Sequence, residues 1–469
     1  MKKLKAFSFI LILNIFLIII QPTSVKAVDD FSADAGAAIL MNASTGEIYY
    51  SLNAETQYAP ASTTKIMTAL LAFEAIDRGD ISLSDVITAQ EDCRSDIGLD
   101  GSNQNIVPGE EMTLENLLYC MLVASANESC NIVGEYISGS ISAFVSAMNA
   151  RALELGCKNT HFVNTHGMPV EDHRSTAHDL AIIAAEAIKH PGFLTIVTTV
   201  HKEIPATNRS DVRYLRTTNE LINPDRSKYY YSEAKGIKTG SSSVSGLCLV
   251  SSVELDGQAV ISVVLGCIEE ELSDGSYNLR SFTETKSMQK WFLTNFSMTP
   301  VVNTTDLIQE VPVALGEDSS SVVARPQSGL SMILPNDFDV STIQKKVTIY
   351  SLLDGAEELT APVSAGDVLG ELSFEYNGRE YGPIPLVANT SGSLSRIAYI
   401  RAQLRQILGN TWIRLMIGVF ILIIALYLAF VIRYNVIKRK KRRAAHEAAR
   451  RGASNAAPID FNEYRDRKR

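Results

Sequence analysis

The amino-acid sequence predicts an α+β fold with an antiparallel sheet, followed by a small all-β domain and a C-terminal transmembrane helix. Three observations carry that expectation. Between about residues 31 and 295, β-patterned runs stand at both ends and helix-patterned runs lie between them, the order of an α+β sandwich rather than of alternating βαβ units. After about Met298 the pattern changes to short β-rich segments separated by Gly, Pro, Asp and Ser. Residues 415–432 form an uncharged, almost wholly apolar run, long enough to cross a bilayer as a helix.

Taken in order, residues 34–41 and 47–51 flank Asn42-Ala43-Ser44-Thr45-Gly46 and read as a hairpin. From residue 60 to 78 the period becomes helical, with Ile66, Met67, Leu70, Phe73 and Ile76 apolar and Gly79 as the stop. Helical patterns recur at 114–124, 131–136, 141–155 and 177–189, and Thr176-Ala177-His178-Asp179 reads as a capping box for the last. Strands return at 235–239, 246–254 and 258–266, with Asp256-Gly257 as the turn between the last two. A closing helix is expected over 282–295. Short strands then follow at 301–303, 322–324, 346–352 and 368–374, and residues 389–395 form a Ser/Gly-bearing linker.

The formal charge of -9 averages over unlike parts. Residues 1–27 hold four Lys and no acid, residues 433–469 hold 13 Lys or Arg against 4 Asp or Glu, and the body between them is strongly acidic. That distribution excludes a nucleic-acid-binding core and points to a membrane protein with sided topology. A basic start, an apolar run over 6–20 and the small-residue exit Val25-Lys26-Ala27 read as a secretory signal peptide, cleaved after Ala27. An uncleaved anchor helix is the other reading of that run. The basic block from Lys438 to Arg443 follows the C-terminal span directly, which places the tail in the cytoplasm and the body outside.

The expected organisation is therefore a signal peptide (1–27), a first domain (28–297), a small all-β domain (298–386), a linker (387–411), a membrane helix (412–432) and a basic cytoplasmic tail (433–469). All six Cys fall in the exported part, and the sequence leaves their pairing open. His161, His166, His173 and His178 lack the spacing of a zinc site, so no metal and no cofactor are expected.

Three short stretches carry chemistry: Ser62-Thr63-Thr64-Lys65, Ser125-Ala126-Asn127 and Lys238-Thr239-Gly240. Singly they are weak, because S-x-x-K also occurs at Ser232 and Ser287, and S-x-N at Ser51, Ser129 and Ser276. Local physics selects among the copies. Ser62 lies two residues past Pro60 at the start of the most apolar helical stretch, and the i, i+3 spacing stacks Lys65 beside its hydroxyl. An amine in such surroundings has a depressed pKa and accepts a serine proton. Ser125 and Asn127 follow an apolar helix and can project into a cleft, whereas Ser129-Cys130-Asn131 reads as the cap of the next helix. Lys238, Thr239 and Gly240 end a strand ahead of Ser241, where an extended peptide can pair and a carboxylate can bind.

In this order and spacing the three stretches resemble those of the D-alanyl-D-alanine carboxypeptidases, the low-molecular-mass penicillin-binding proteins. The resemblance covers about residues 31 to 295 and extends to the stretches from Thr160 to Met168 and from Gly236 to Gly240. It implies a β-lactamase/transpeptidase-like catalytic domain with Ser62 as the acylated nucleophile, Lys65 as its base, and Ser125 and Asn127 as the second wall. Lys238, with Thr239, Gly240 and Ser241, would bind the substrate end, and the backbone N–H groups of Ser62 and Ser241 would form the oxyanion hole. The implied substrate is a peptidoglycan stem peptide and the implied inhibitors are β-lactams, at a bacterial membrane. Ala126 stands where the family commonly has Gly, and family members usually end in a surface helix rather than a span. A β-lactamase is disfavoured because no E-x-x-L-N stretch follows the second motif. The unusual tail keeps open a second reading, a membrane-anchored sensor acylated at Ser62.

Overall fold

Strand β1 (Ala37–Asn42) carries no charge and is buried at every position, so it requires cover on both faces. The computed structural model describes residues 31–98, 101–225, 228–317 and 320–453; the expected signal peptide and the end of the basic tail lie outside the described residues. The chain divides into one unit of Met1–Pro300 with Ser331–Asp339 and a second of Val301–Leu330 with Val340–Arg469.

In the first unit β1 turns into β2 (Ile48–Leu52), and a short 3₁₀ turn (Ala61–Thr64) runs straight into α1 (Lys65–Asp77). Then come β3 (Val86–Thr88), β4 (Glu111–Thr113), α2 (Leu114–Leu122), α3 (Asn127–Ser138), α4 (Ile141–Glu154), α5 (Ala177–Ala187) and α6 (Pro191–Val197). Strands β5 (His201–Ile204), β6 (Arg213–Arg216), β7 (Lys235–Ser242), β8 (Gly246–Leu255) and β9 (Gln258–Cys267) follow. The hairpin β10 (Glu269–Glu271) and β11 (Tyr277–Leu279) leads into α7 (Arg280–Asn295). Side-chain caps set several starts: Thr113 accepts from Asn116 N–H, Ser140 from Ala143 N–H and Thr176 from Asp179 N–H. Asp256 (φ 49°) and Gly257 (φ 80°) take the two left-handed positions that a tight β8–β9 hairpin needs.

The main sheet is antiparallel, in the order β2-β1-β9-β8-β7, with Ile39 opposite Val263 and Lys238 opposite Val250. Alternation along the strands separates two cores. Ala37, Ile39 and Met41 join Val263 and Leu265 against α1, α2 and α5, while Ala38 and Leu40 join Val264 against Met288 and Phe292 of α7. Helix α1 is buried on nearly every side, including Ile66, Met67, Leu70 and Phe73, and that setting also encloses Lys65 at its first position.

One buried ion pair ties the hairpin β5–β6 to the loop ahead of β4. Both Arg213 terminal nitrogens donate to Glu110, at 2.7 and 3.0 Å, and Thr207 Oγ1 donates to the same carboxylate at 2.8 Å. Burial alone would raise the Glu110 pKa; the hydrogen bonds from Arg213 and Thr207 reverse this and hold it below the ordinary value.

In the second unit, β13 (Gln309–Pro312), β14 (Ser321–Pro326), β16 (Gln344–Ile349), β17 (Val368–Tyr376) and β18 (Arg379–Ala388) make a sheet in the order β13-β14-β18-β17-β16. Strands β12 (Phe296–Val302) and β15 (Leu330–Pro335), most of whose residues belong to the first unit, pair separately. Helices α8 (Arg396–Gly409) and α9 (Thr411–Ala453) follow, and α9 is long and apolar enough to cross a membrane. The expected linker is therefore half helical, because 396–409 places Ile397, Ile400 and Leu404 at helical spacing behind a Ser395 cap.

Arg213→Leu leaves the Glu110 carboxylate buried without its cation, so a loss of about 3–5 kcal/mol in unfolding free energy is expected. Denaturant unfolding of the full-length protein in detergent measures it.

Candidate active site

Ser62 lies in the 3₁₀ turn rather than in α1 itself. Its predecessor Ala61 has φ 47°, so the backbone swings through the left-handed region one residue before the hydroxyl. Lys65 then begins α1, fully buried, with Nζ 2.8 Å from Ser62 Oγ, 2.7 Å from Asn127 Oδ1 and 2.8 Å from the His166 carbonyl. Burial pulls the amine down to about 8, with Cys130 and Glu128 opposing that pull. Two of its three partners only accept hydrogen bonds. A neutral amine therefore keeps its two N–H bonds on Asn127 and His166 and turns its lone pair toward Ser62.

The segment 164–173 holds this arrangement in place. Gly167 has φ 93°, and a Cβ there would lie 1.8 Å from the Ala61 carbonyl oxygen, so no other residue fits between His166 and the turn. Val163 N–H donates to His173 Nδ1 at 2.9 Å, which puts the ring proton on Nε2. That N–H donates to Thr64 Oγ1 at 2.8 Å, and the Thr64 hydroxyl donates to the Ala61 carbonyl at 2.8 Å. The chain of bonds fixes the backbone on which Ser62 stands. Burial, aided by His161 and Lys65, lowers the His173 pKa to about 4 and keeps the ring neutral.

The second wall is built where α2 ends. Ser125 adopts φ 63°, an unusual conformation for a residue with a side chain, and Asn127 then opens α3. Asn127 N–H donates to the Ser102 carbonyl at 2.9 Å, and a Cβ on Gly101 would lie 2.8 Å from the Asn127 amide nitrogen, so the loop at 101–106 packs directly on that side chain. Glu128 Oε1 accepts from Gln104 N–H at 2.6 Å and from Ile106 N–H at 3.2 Å, which anchors the same loop.

The third wall is the sheet edge β7. A Cβ on Gly240 would come within 3.2 Å of Ser62 N, so the strand runs hard against the 3₁₀ turn. Lys238 is 1 % exposed and donates to the Thr239 carbonyl at 3.2 Å; burial, then the nearby Lys65, push its pKa well below the ordinary value. A cavity of about 200 Å³ is lined by Ser62, Ser125, Thr239, Gly240 and Ser241, together with Thr218 and Ser102.

All three stretches singled out in the sequence thus converge within one unit. The competing copies do not: Ser232 pairs with Glu233 in an exposed loop, and Ser287 lies on α7. Ser129 is not a cap, because α3 already begins at Asn127, with Ala126 at the cap position, once the chain has turned through Ser125. The capping box at Thr176 is half formed, since the Asp179 carboxylate goes instead to Asn159 N–H and Thr160 Oγ1. Sequence reasoning missed Gly101, Ser102 and Thr218, none of which sits in a recognisable local pattern; Gly167 lay inside the stretch from Thr160 to Met168 that carries the resemblance, but its role came only with the structure. The six Cys are all buried and unbridged.

A serine next to a buried lysine, an Asn-bearing second wall and a strand edge define an acyl-transferring serine hydrolase. Residues 23–268 match the family model described as D-alanyl-D-alanine carboxypeptidase, and the chain belongs to that family. It is 30% identical over 383 residues to D-alanyl-D-alanine carboxypeptidase DacF of Bacillus subtilis (strain 168), covering 81% of this chain and 92% of that protein. DacC of Escherichia coli (strain K12) is 28% identical, over 79% of this chain and 88% of its own. Among solved structures, penicillin binding protein 5 from Haemophilus influenzae is similar with a TM-score of 0.58 at 26% identity, over 78% of this chain and 99% of that one. A peptidoglycan synthesis regulatory factor (PBP3) from Streptococcus pneumoniae gives a TM-score of 0.60 at 26% identity, over 77% and 100%.

His173 has a folded pKa of about 4 against an ordinary 6.5, so the stability it contributes is complete above pH 6.5 and is lost as the pH falls toward 4. One proton excluded by folding corresponds to about 1.4 kcal/mol per pH unit in that window. His173→Gln is expected to flatten the pH dependence of unfolding between 6.5 and 4 by that amount. An unchanged slope in a denaturant series run at several pH values would contradict the neutral ring.

Proposed function

We propose that Ser62 carries the acyl-enzyme of this D-alanyl-D-alanine carboxypeptidase and that Lys65 is the base that activates it. The family makes the chain a serine-type, penicillin-binding hydrolase whose substrate is a peptidoglycan peptide. The observation that carries the residue assignment is the set of three oxygens around Lys65 Nζ, because it aims the lone pair of a neutral amine at the Ser62 hydroxyl.

The stem peptide lies extended along β7, with the carbonyl of its penultimate D-alanine at Ser62 and its terminal carboxylate toward Thr239. Lys65 takes the Ser62 proton as Oγ forms its bond to the carbonyl carbon. Backbone N–H groups of Ser62 and Ser241 carry the negative oxygen. The C–N bond then breaks, the departing nitrogen receives a proton relayed through Ser125, and D-alanine leaves. Water attacks the ester in the second half and returns Ser62 to its starting form. With a β-lactam the broken C–N bond belongs to the ring, so the leaving group stays tethered and the ester persists.

We read residues 28–297 as the catalytic domain and 298–386 as a small all-β domain that serves as a spacer or partner-binding module. Residues 412–432 cross the cell membrane, with the catalytic domain outside and 433–469 inside. What supports this topology is the apolar length of α9 and the basic block beginning at Lys438.

Ser62→Ala is expected to abolish both D-alanine release and labelling by penicillin, read by mass spectrometry of the intact protein; a labelled variant would overturn the assignment. Because Lys65 must be neutral and its pKa is held at about 8, the acylation rate should rise with pH below 8 and level off above it. The rise is expected to be about tenfold per unit. A rate flat from pH 6 to 9 would remove Lys65 from the role of base.

A further inference from the structure

We infer that the first unit carries a second binding site, at the end of β7 away from Ser62, that takes a neutral sugar ring of a saccharide chain.

A cavity of about 520 Å³, more than twice the volume beside Ser62, lies between α6, the loop ahead of β7 and the adjoining ends of β7 and β8. Small-molecule sites occupy about 300–1,000 Å³. The two cavities share no residue. Lys235 begins β7 and stands five positions before Gly240, roughly 16 Å along an extended strand. An occupant here is clear of the Ser62 hydroxyl.

The lining groups select the chemistry of that occupant. Thr195, Thr198 and Ser252 all line the cavity, and each has already committed its hydroxyl proton to a backbone carbonyl. Thr195 donates to Pro191 at 2.9 Å, Thr198 to Leu194 at 2.7 Å and Ser252 to Lys235 at 3.0 Å. What these hydroxyls keep is lone pairs, so the cavity asks for a ligand rich in O–H donors. Tyr230 and Tyr231 bring two aromatic rings to the same wall, and neither phenol hydroxyl has a hydrogen-bond partner among the described residues. An aromatic ring beside hydroxyl acceptors suits a sugar, whose C–H face is apolar and whose rim is all hydroxyl.

Charge points the same way. Lys235 and Glu254 are the two charged residues of the lining, both exposed, and among the described residues neither makes an ion pair. Their charges cancel, so the cavity favours neither an anion nor a cation and offers a neutral ligand one strong donor and one strong acceptor. The aromatic wall is held from behind. Tyr231 N–H donates to the Leu221 carbonyl at 2.8 Å, the Tyr230 carbonyl accepts from Lys286 of α7 at 2.8 Å, and Lys290 Nζ lies 5.7 Å from the centre of the Tyr231 ring.

The stem-peptide pose given above directs the terminal carboxylate toward Thr239, so the rest of that peptide runs away from Lys235. A sugar held at Lys235 therefore belongs to another segment of polymer than the one being cleaved. The site would keep the enzyme on an insoluble substrate between turnovers, and it stands whether or not Ser62 is the nucleophile.

The test is calorimetric titration of the full-length protein, in a detergent without sugar headgroups, with an N-acetylglucosamine trisaccharide and with a glucose trisaccharide. Binding of either is expected; tighter binding of the N-acetylated chain marks a wall glycan as the natural source, and tighter binding of the other marks a plain glucan. Tyr230→Ala is expected to weaken binding about threefold to tenfold through loss of the ring. Thr198→Val is expected to weaken it by a similar factor through loss of an acceptor, about threefold to tenfold. Near-ultraviolet circular dichroism matching the wild type shows that each variant is folded. Binding of neither trisaccharide overturns the proposal, as does binding that both folded variants retain in full. A cavity that takes free D-alanine and no trisaccharide belongs to a zwitterion and overturns it equally. A wild-type protein that binds the trisaccharide and is not acylated by penicillin would overturn the assignment of Ser62 and support this site.

Discussion

The Lys65 amine is buried at the start of a helix that is apolar on nearly every side, and three oxygens around its nitrogen are what makes that burial tolerable. Those oxygens come from three separate parts of the chain. Ser62 arrives from the turn just before, Asn127 from the first position of α3, and the His166 carbonyl from a loop about a hundred residues on. Much of the first unit is explained by the need to bring them together. Gly167 lets the loop touch the turn, Gly101 leaves room for the Asn127 amide, and Glu128 holds down the loop on which that amide leans. The same convergence that satisfies a buried cation brings the Lys65 amine against the Ser62 hydroxyl.

The opposite wall obeys a different requirement. Strand β7 is at the sheet edge, so its outward face is open to an extended partner, while its inward side chains carry Lys238 into the protein. One strand thereby offers hydrogen bonds and the positive potential of Lys238 in the same place while keeping that amine from water. The Gly240 backbone closes the distance to Ser62, which sets how near this edge lies to the hydroxyl.

Much of this was legible in the sequence because the relevant signals were periodic. The apolar stripe through Ile66, Leu70 and Phe73 placed Lys65 inside the protein, and Asp256-Gly257 marked the β8–β9 turn. The same stripe separated Ser62 from the copies at Ser232 and Ser287, which stand in polar or peripheral settings. What was missed lacks a period. Strands β3 to β6 have three or four residues each, too few for alternation to register. The left-handed backbone at Ser125 is imposed by its surroundings, and it moved the start of the next helix forward to Asn127, displacing the expected cap at Ser129. Thr218 came to the cavity through its own N–H bond to the Val123 carbonyl and the bond of its neighbour Asn219 to the Gly236 carbonyl, which no window along the chain contains. The helical spacing at Ile397, Ile400 and Leu404 was present but lay hidden in a segment read as linker.

Ala61 and Ser125 both stand in the left-handed region, one just before Ser62 and one across the cavity from it, and each costs about 1 kcal/mol or more that the rest of the fold must offset. Glycine would relieve the cost at either position. At Ser125 it would delete the hydroxyl, and at Ala61 it would free the hinge from which Ser62 is aimed. A search for more heat-resistant variants would therefore be drawn to two positions where firmness of the fold and readiness of the site are in direct opposition. In this enzyme the rim around Ser62 is a place where the chain surrenders stability, and the sheet and its two cores are where it is recovered.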